Sequence, residues 1–255
     1  MNPLLILGPI GMMLVGMVSI MIWKLQRGVK LKYFLLGGLI WLISITPKFI
    51  MDLTITSTLS SWAKSMLGTL GFLTIIGLYV GLRTGLLECG FMYLIFSKSK
   101  LKNMLFKEAV AFGIGFGAFE AISISLSAMV QLIVFILNPS ILELIPEERR
   151  EFIEVQLNMP TWVVLAPIIE RVFTLLIHIF TTLVIFVSVK WRRLSYLLGA
   201  IAYKSVVDAV IPYLHWIFKP TLSPIGAYKA EIWVVVMGLL ALLGTRLTMS
   251  KLEEE

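Results

Sequence analysis

The chain has 255 residues, of which 58% are hydrophobic and only 15% are charged, and its formal net charge is +7. Soluble globular domains carry about 25% charged residues, so this composition excludes a cytosolic enzyme, a nucleic-acid-binding domain and a disordered chain. The single cysteine, Cys89, excludes a disulfide framework and a cysteine-rich metal site. Long apolar runs recur along the whole sequence, which indicates an all-α, polytopic transmembrane helix bundle.

The apolar runs predict about seven membrane-spanning helices in a single integral membrane domain that covers residues 1–255. Each run is long enough to cross a hydrocarbon core about 30 Å thick. Their approximate bounds are 3–23, 33–51, 66–96, 109–137, 161–189, 194–218 and 232–249. The first run lacks a preceding basic residue and a small-residue cleavage site, so we interpret it as a retained helix rather than a signal peptide.

Basic residues concentrate in alternate loops. They follow the first, third and fifth spans: Lys24, Arg27, Lys30 and Lys32; Lys98, Lys100, Lys102 and Lys107; Lys190, Arg192 and Arg193. The loop after the second span is poorer, and we count Lys48 and Lys64 as its charges. By the positive-inside rule, we expect the N-terminus outside and the C-terminus inside. Since no organellar signal is visible, the plasma membrane of a prokaryote is the expected location.

Residues 139–160 form the one sizeable segment outside the predicted spans. Pro146 followed by Glu147 and Glu148 is typical of a helix start. The apolar residues that follow predict a short helix on the outer surface, which we interpret as a connector. Because the sequence shows no soluble domain, the expected partners are membrane lipid and a membrane-associated peptide or protein substrate.

Ionisable side chains inside the predicted spans are the feature that points to function. They are Arg83, Glu88, Glu120, Glu170, Arg171, His178, Lys204 and Asp208. An unpaired charge at mid-bilayer costs at least about 2.5 kcal/mol, so such groups face the protein interior and form either a structural network or a functional site. Four of them lie at one level, roughly 12–17 Å from the basic-loop ends of their helices. These four are Glu88, Glu120, His178 and Lys204.

Helical spacing places these side chains on shared faces. Glu170 and Arg171 share a broad face of the fifth span with His178. Lys204 and Asp208 are four residues apart on the sixth span and also share a face. Two glycine series precede the glutamates of the third and fourth spans and predict close helix packing there. They are Gly77, Gly81 and Gly85, and Gly113, Gly115 and Gly117.

The common hydrolase motifs are missing from the sequence. It contains neither the His-Glu-x-x-His of zinc proteases nor a Gly-x-Ser-x-Gly elbow. The two histidines, His178 and His215, are not at ligand spacing, so a metal site would need carboxylates from separate helices. We therefore expect neither a metal nor another cofactor.

Four segments resemble the YhfC-type glutamic intramembrane proteases, which are related to CAAX prenyl endopeptidases and bacteriocin-immunity-type membrane proteases. The resemblance runs from end to end of the chain. The segments are Leu87–Tyr93, Gly115–Ala121, Glu170-Arg171 followed by His178, and Lys204 followed by Asp208. The chain departs from the family pattern where Cys89 replaces a glutamate, Met92 an arginine, and Phe116 and Lys204 histidines.

The resemblance implies a divergent, metal-independent intramembrane endopeptidase that opens toward the cytoplasm and hydrolyses a membrane-associated peptide. Glu88 or Glu120 would act as the general base that activates water. His178 would polarise the carbonyl or share the proton, and Asp208 would orient a partner. Lys204 would stabilise an oxyanion. The supporting polar core would consist of Glu170, Arg171 and Arg83.

Two other functions stay open on the sequence alone. A catalytically inactive relative could keep the same residues as a polar core and act as a membrane scaffold or binding protein. A proton- or ion-coupled transporter could use buried Glu, His and Asp side chains as a relay. The lack of internal repeat symmetry disfavours transport.

Overall fold

A computed structural model describes the backbone of residues 1–253 and the side chains of residues 1–249. The described chain is all-helical, which confirms the predicted polytopic helix bundle. Within it, six stretches are long and apolar enough to cross a membrane, and one of them, Leu31–Lys98, has 68 residues. The α-helices are α1 Leu7–Arg27, α2 Leu31–Met51, α3 Ser57–Lys98, α4 Phe106–Leu137, α5 Glu147–Leu157, α6 Leu165–Lys190, α7 Leu194–Ala209, α8 Ile211–Phe218 and α9 Pro224–Glu253.

The longest of these stretches is an antiparallel helical hairpin that reverses at Gly68. A π-helical turn, Asp52–Thr56, joins α2 to the first part of α3, so an almost continuous helix about 55 Å long runs over residues 31–67. Gly68 then adopts φ 65° and ψ −172°, a conformation that glycine reaches without steric cost. On the returning limb, Tyr79 Oη accepts a 3.3 Å hydrogen bond from Thr56, which joins the two limbs.

Seven of the described helices form a ring, in the order α2, α3, α7 with its continuation α8, α9, α6 and α4. Helix α1 packs outside this ring against α4 and α6. The helix predicted after Pro146 is confirmed as α5. It lies near the start of the chain, because the Asn2 N–H donates a 2.7 Å hydrogen bond to the Leu157 carbonyl oxygen.

The bundle has two chemically different ends. At the basic end, which holds the loops after α1, α3 and α6, the indole of Trp23 donates a 3.0 Å hydrogen bond to the Lys107 carbonyl oxygen. At the N-terminal end, the Asn2 side chain donates to the Met159 carbonyl oxygen at 2.9 Å. All the loops predicted to be basic therefore lie together, opposite the N-terminus.

Glycine contacts hold the polar helices close together. A Cβ atom at Gly81 of α3 would lie only 2.3 Å from the Ser205 carbonyl oxygen of α7. Gly37 of α2 and Gly115 of α4 face each other's helices, and a Cβ at either would lie 2.0 Å from a backbone oxygen. The close packing predicted from the glycine series is confirmed, and the α4 glycines serve helix contact.

An aromatic core closes the bundle toward the basic end. Its buried members, each at most 3% exposed, are Phe34, Met92, Phe96, Phe112, Phe116 and Phe186. The Phe96 ring packs edge-to-face on Phe112 and Phe186, with centroids 4.9 and 6.3 Å apart. Phe116 continues this core to the His178 ring, 5.0 Å away. The space enclosed by the ring of helices therefore ends at His178.

Two helices differ from the predicted spans. The span predicted at 194–218 is broken after Ala209 into α7 and α8, because Pro212 has no N–H with which to continue the helical ladder. The last helix begins at Pro224 instead of residue 232. It therefore includes Glu231, which the sequence pattern leaves outside the spans.

Gly81→Ala is expected to destabilise the protein, because its methyl group would overlap the Ser205 carbonyl oxygen and separate α3 from α7. Overpacking of this kind costs about 1–3 kcal/mol. This corresponds to a fall in Tm of roughly 2–12 °C, measured by thermal unfolding of the detergent-purified protein.

Gly90→Ala is the matched control, since no heavy atom lies within 4 Å of its Cβ position in the same helix. It is expected to leave Tm unchanged or raise it, because alanine favours helix more than glycine does. Equal losses of Tm in the two variants would contradict the glycine-packing interpretation.

Candidate functional site

A cavity of about 620 Å³ lies inside the ring of helices. Its lining advances along α4 from Glu120 to Ser127 and along α7 and α8 from Lys204 to His215. Both directions lead to the N-terminal end of the bundle, whereas the aromatic core closes the basic end. The cavity therefore opens at the N-terminal end.

This opening is at the end opposite the basic loops, whereas the sequence-based expectation placed the opening and the basic loops on the same, cytoplasmic side. If the basic loops are cytoplasmic, as their charge predicts, the cavity opens on the opposite side. The depth of Glu88 and Glu120 along their helices was readable from the sequence. Depth does not indicate which end large side chains seal, and here Phe96 and Phe112 seal the basic end.

Glu88 forms the floor of the cavity and holds two lysines. Its Oε1 accepts a 2.6 Å hydrogen bond from Lys48 Nζ, and Lys204 Nζ lies 3.5 Å from its Oε2. Glu88 is only 2% exposed, Lys48 7% and Lys204 4%. Buried charges persist only when they are paired, so these three groups stabilise one another. Lys48 is therefore an interior residue of α2, which corrects its assignment to a loop.

Glu120 forms a second paired carboxylate on α4. Its Oε1 accepts a 2.7 Å hydrogen bond from Arg171 Nη1, and its Oε2 accepts one of 3.0 Å from the Trp41 indole. Arg171 also donates two hydrogen bonds to Glu170, its neighbour on α6. The guanidinium therefore bridges Glu120 on the floor to Glu170 nearer the mouth.

His178 lies between the two glutamates. Its Nε2 is 3.1 Å from Glu120 Oε2, and its Nδ1 is 4.0 Å from Glu88 Oε2. Neither ring nitrogen has a partner in hydrogen-bonding geometry, and Glu88 Oε2 has none either. The four residues expected at one level are thus neighbours. His178 lies between Glu88 and Glu120, and Lys204 lies beside Glu88. His178 itself is fully buried beneath the cavity lining.

The remaining predicted residues are placed differently from one another. Asp208 and Glu170 line the same cavity as Glu88. Asp208 forms no ion pair with any residue whose side chain the structure describes. Arg83 lies apart from the cluster, where its Nη1 donates to Asp52 Oδ1 at 2.5 Å and to the Lys48 carbonyl oxygen at 3.3 Å. Arg83 therefore joins the limbs of the hairpin.

Among the lining residues that the sequence-based site did not include are Trp41, Lys48 and Glu231. One signal could have found two of them. Gly37, Trp41 and Lys48 recur at helical spacing, so they share a face that includes a closely packing glycine. A lysine near the end of a span is ordinarily a loop charge, which is why the pattern misled.

A divalent metal ion does not fit this set of donors. The two carboxylates face opposite nitrogens of His178, so an ion bound to one nitrogen could not reach both. Fixed cations from Lys48, Lys204 and Arg171 already neutralise these carboxylates. Among the side chains that the structure describes, no three His, Cys, Asp or Glu residues converge as metal ligands.

Comparison with curated proteins and with solved structures finds no match. A family model described as YhfC intramembrane metalloprotease matches residues 11–231. The match includes every residue of the polar cluster, and it confirms the YhfC-type family named from the sequence motifs. The family description gives a metalloprotease and not the glutamic type that the resemblance implied. The chain therefore belongs to the YhfC intramembrane metalloprotease family.

Proposed function

We propose that the protein is an intramembrane endopeptidase that hydrolyses a membrane-associated peptide at the Glu88–His178–Glu120 cluster without a metal ion. Membership of a membrane protease family supports the peptidase class. The observation that carries the finer proposal is the environment of Glu88. Glu88 lines the cavity, and its buried Oε2 has no hydrogen-bond partner and lies 3.5 Å from the Lys204 ammonium.

In the proposed reaction, Glu88 is the general base. Its Oε2 accepts a proton from a water molecule while the water oxygen attacks the carbonyl carbon of the peptide bond. When the carbon–nitrogen bond breaks, Glu88 returns this proton to the leaving amine. Glu120 is less suited to the role, because Arg171 and Trp41 already donate to its two oxygens.

Lys204 supplies the charge that stabilises the developing oxyanion. Its Nζ lies 3.5 Å from the proposed base and lines the same cavity, so it can approach a carbonyl oxygen held there. Carbonyl polarisation, the role that the family resemblance implies, does not suit His178, because its ring lies beneath the cavity lining. His178 acts instead as a positioning residue between Glu88 and Glu120.

A second candidate function, binding of a membrane peptide without hydrolysis, is favoured by one observation. Each floor carboxylate already has a cationic partner: Lys48 bonds to Glu88, and Arg171 bonds to Glu120. Such pairs stabilise a buried cavity floor whether or not any bond is cleaved there. Cleavage and binding are separated by assaying both with the same peptide, and Trp41 in the cavity provides a fluorescence signal for binding.

Glu88→Gln is expected to lower peptide cleavage by about 10²-fold or more, because an amide cannot accept the proton from water. Glu88→Asp keeps the charge that Lys48 and Lys204 require but withdraws the carboxylate, and it is expected to fold and to cleave slowly. The assay uses liposomes that contain the protein and single-span peptides carrying a fluorophore and a quencher.

Glu151→Gln, on an exposed position of α5, is the control for these substitutions and is expected to keep the full rate. A folded Glu88→Asp variant with the full rate would exclude Glu88 as the base. A wild-type protein that binds the peptides and cleaves none would favour the binding function.

Lys204→Met is expected to lower kcat by about 10²–10³-fold, as does removal of a single oxyanion donor in other hydrolases. Lys229→Met, exposed on α9, is the control and is expected to keep its rate. A metal chelator is expected to leave the wild-type rate unchanged. Loss of cleavage on chelation, with recovery on addition of zinc, would overturn the metal-independent mechanism.

A further inference from the structure

A second pocket, of about 520 Å³, lies at the basic end of the bundle, away from the proposed active site. Lys102 enters it from the loop between α3 and α4, and Lys190 and Arg192 enter it from the end of α6. No carboxylate lines the pocket within the described part of the chain. Lys102 and Arg192 thus bring two positive charges from separate segments of the chain to one space, which favours an anion there.

The pocket also has an apolar wall. Met104, Phe186 and Val189 form it, and Met104 and Phe186 are almost fully buried. A cationic rim over an apolar wall is complementary to an anionic amphiphile and less so to a free inorganic ion. The pocket lies at the end of the bundle where lipid headgroups are expected to meet the helices.

The backbone conformation at Arg192 is a second, independent feature of this pocket. The Arg193 N–H donates to the Ser188 carbonyl oxygen at 3.0 Å, and the Arg192 N–H donates to the Val189 carbonyl oxygen at 3.4 Å. This pattern is a Schellman motif, whose left-handed position is usually glycine. Arg192 occupies that position with φ 55°. Arg192 therefore places a guanidinium at a backbone position whose conformation favours glycine.

We propose that this pocket binds the phosphate of an anionic phospholipid. The phosphate oxygens accept hydrogen bonds from Lys102 and from the planar guanidinium of Arg192, which can donate two in parallel. On the other side of the same turn, an apolar cleft of about 470 Å³ lies among α6, α7 and α9. Its aromatic lining, which includes Phe180, Tyr196 and Tyr203, offers a surface for an acyl chain.

The test is thermal unfolding of the full-length protein in neutral detergent. Phosphatidylglycerol is expected to raise Tm by roughly 5–10 °C at about 100 times its Kd, whereas phosphatidylcholine with the same acyl chains has little effect. Lys102→Gln and Arg192→Gly are each expected to weaken the phosphatidylglycerol effect, with an apparent Kd at least about fivefold higher.

Arg192→Gly keeps the test independent of folding, because glycine suits the left-handed backbone and the lipid-free Tm is expected to stay the same or rise. Lys24→Gln removes one charge from an exposed position at the same end, outside the pocket, and is expected to keep the wild-type Kd. A Kd increase in Lys24→Gln equal to that in Arg192→Gly would show diffuse surface attraction and overturn the proposal. So would an equal Tm rise with inorganic phosphate or with phosphatidylcholine.

Discussion

The buried carboxylate of Glu88 is the group around which the ring of helices is arranged. An unpaired charge at this depth costs several kcal/mol, so helices α2 and α7 must each bring a cation to it. The hairpin that turns at Gly68 brings Lys48, and the glycine face of α3 lets α7 approach closely enough for Lys204 to reach the same carboxylate. The imidazole of α6 then lies between this carboxylate and the one on α4.

Much of the fold and part of the site could be predicted from the sequence. Apolar runs and glycine spacing predicted the helix bundle and its close contacts, because membrane helices carry these patterns along a single segment. The common level of Glu88, Glu120 and His178 followed from counting residues along helices. The Lys48–Glu88 pair could not be predicted, because it depends on how α2 and α3 fold back on each other. The direction of the cavity depends on how aromatic side chains from separate helices interlock.

The family description names a metalloprotease, whereas the buried Glu88 of this chain is paired with two lysines. In the resemblance to the family motif, Lys204 corresponds to a histidine. A histidine contributes positive charge to a neutral-pH site chiefly by recruiting a metal ion or a proton, whereas an ammonium carries that charge itself. Together with Lys48, it neutralises Glu88 through fixed side chains. If the motif correspondence holds, the positive charge comes from a fixed side chain in place of a metal ion or a proton.

The aromatic core beneath His178 closes the cavity at the basic end of the bundle. A transporter must expose its binding site to each side of the membrane in turn. Here that would require the interlocked rings of Phe96, Phe112 and Phe186 to separate across the width of the bundle. Under the proposed function, a peptide enters at the N-terminal end and both cleavage products leave by the same route. Departure of the products would then govern how soon the next peptide can enter.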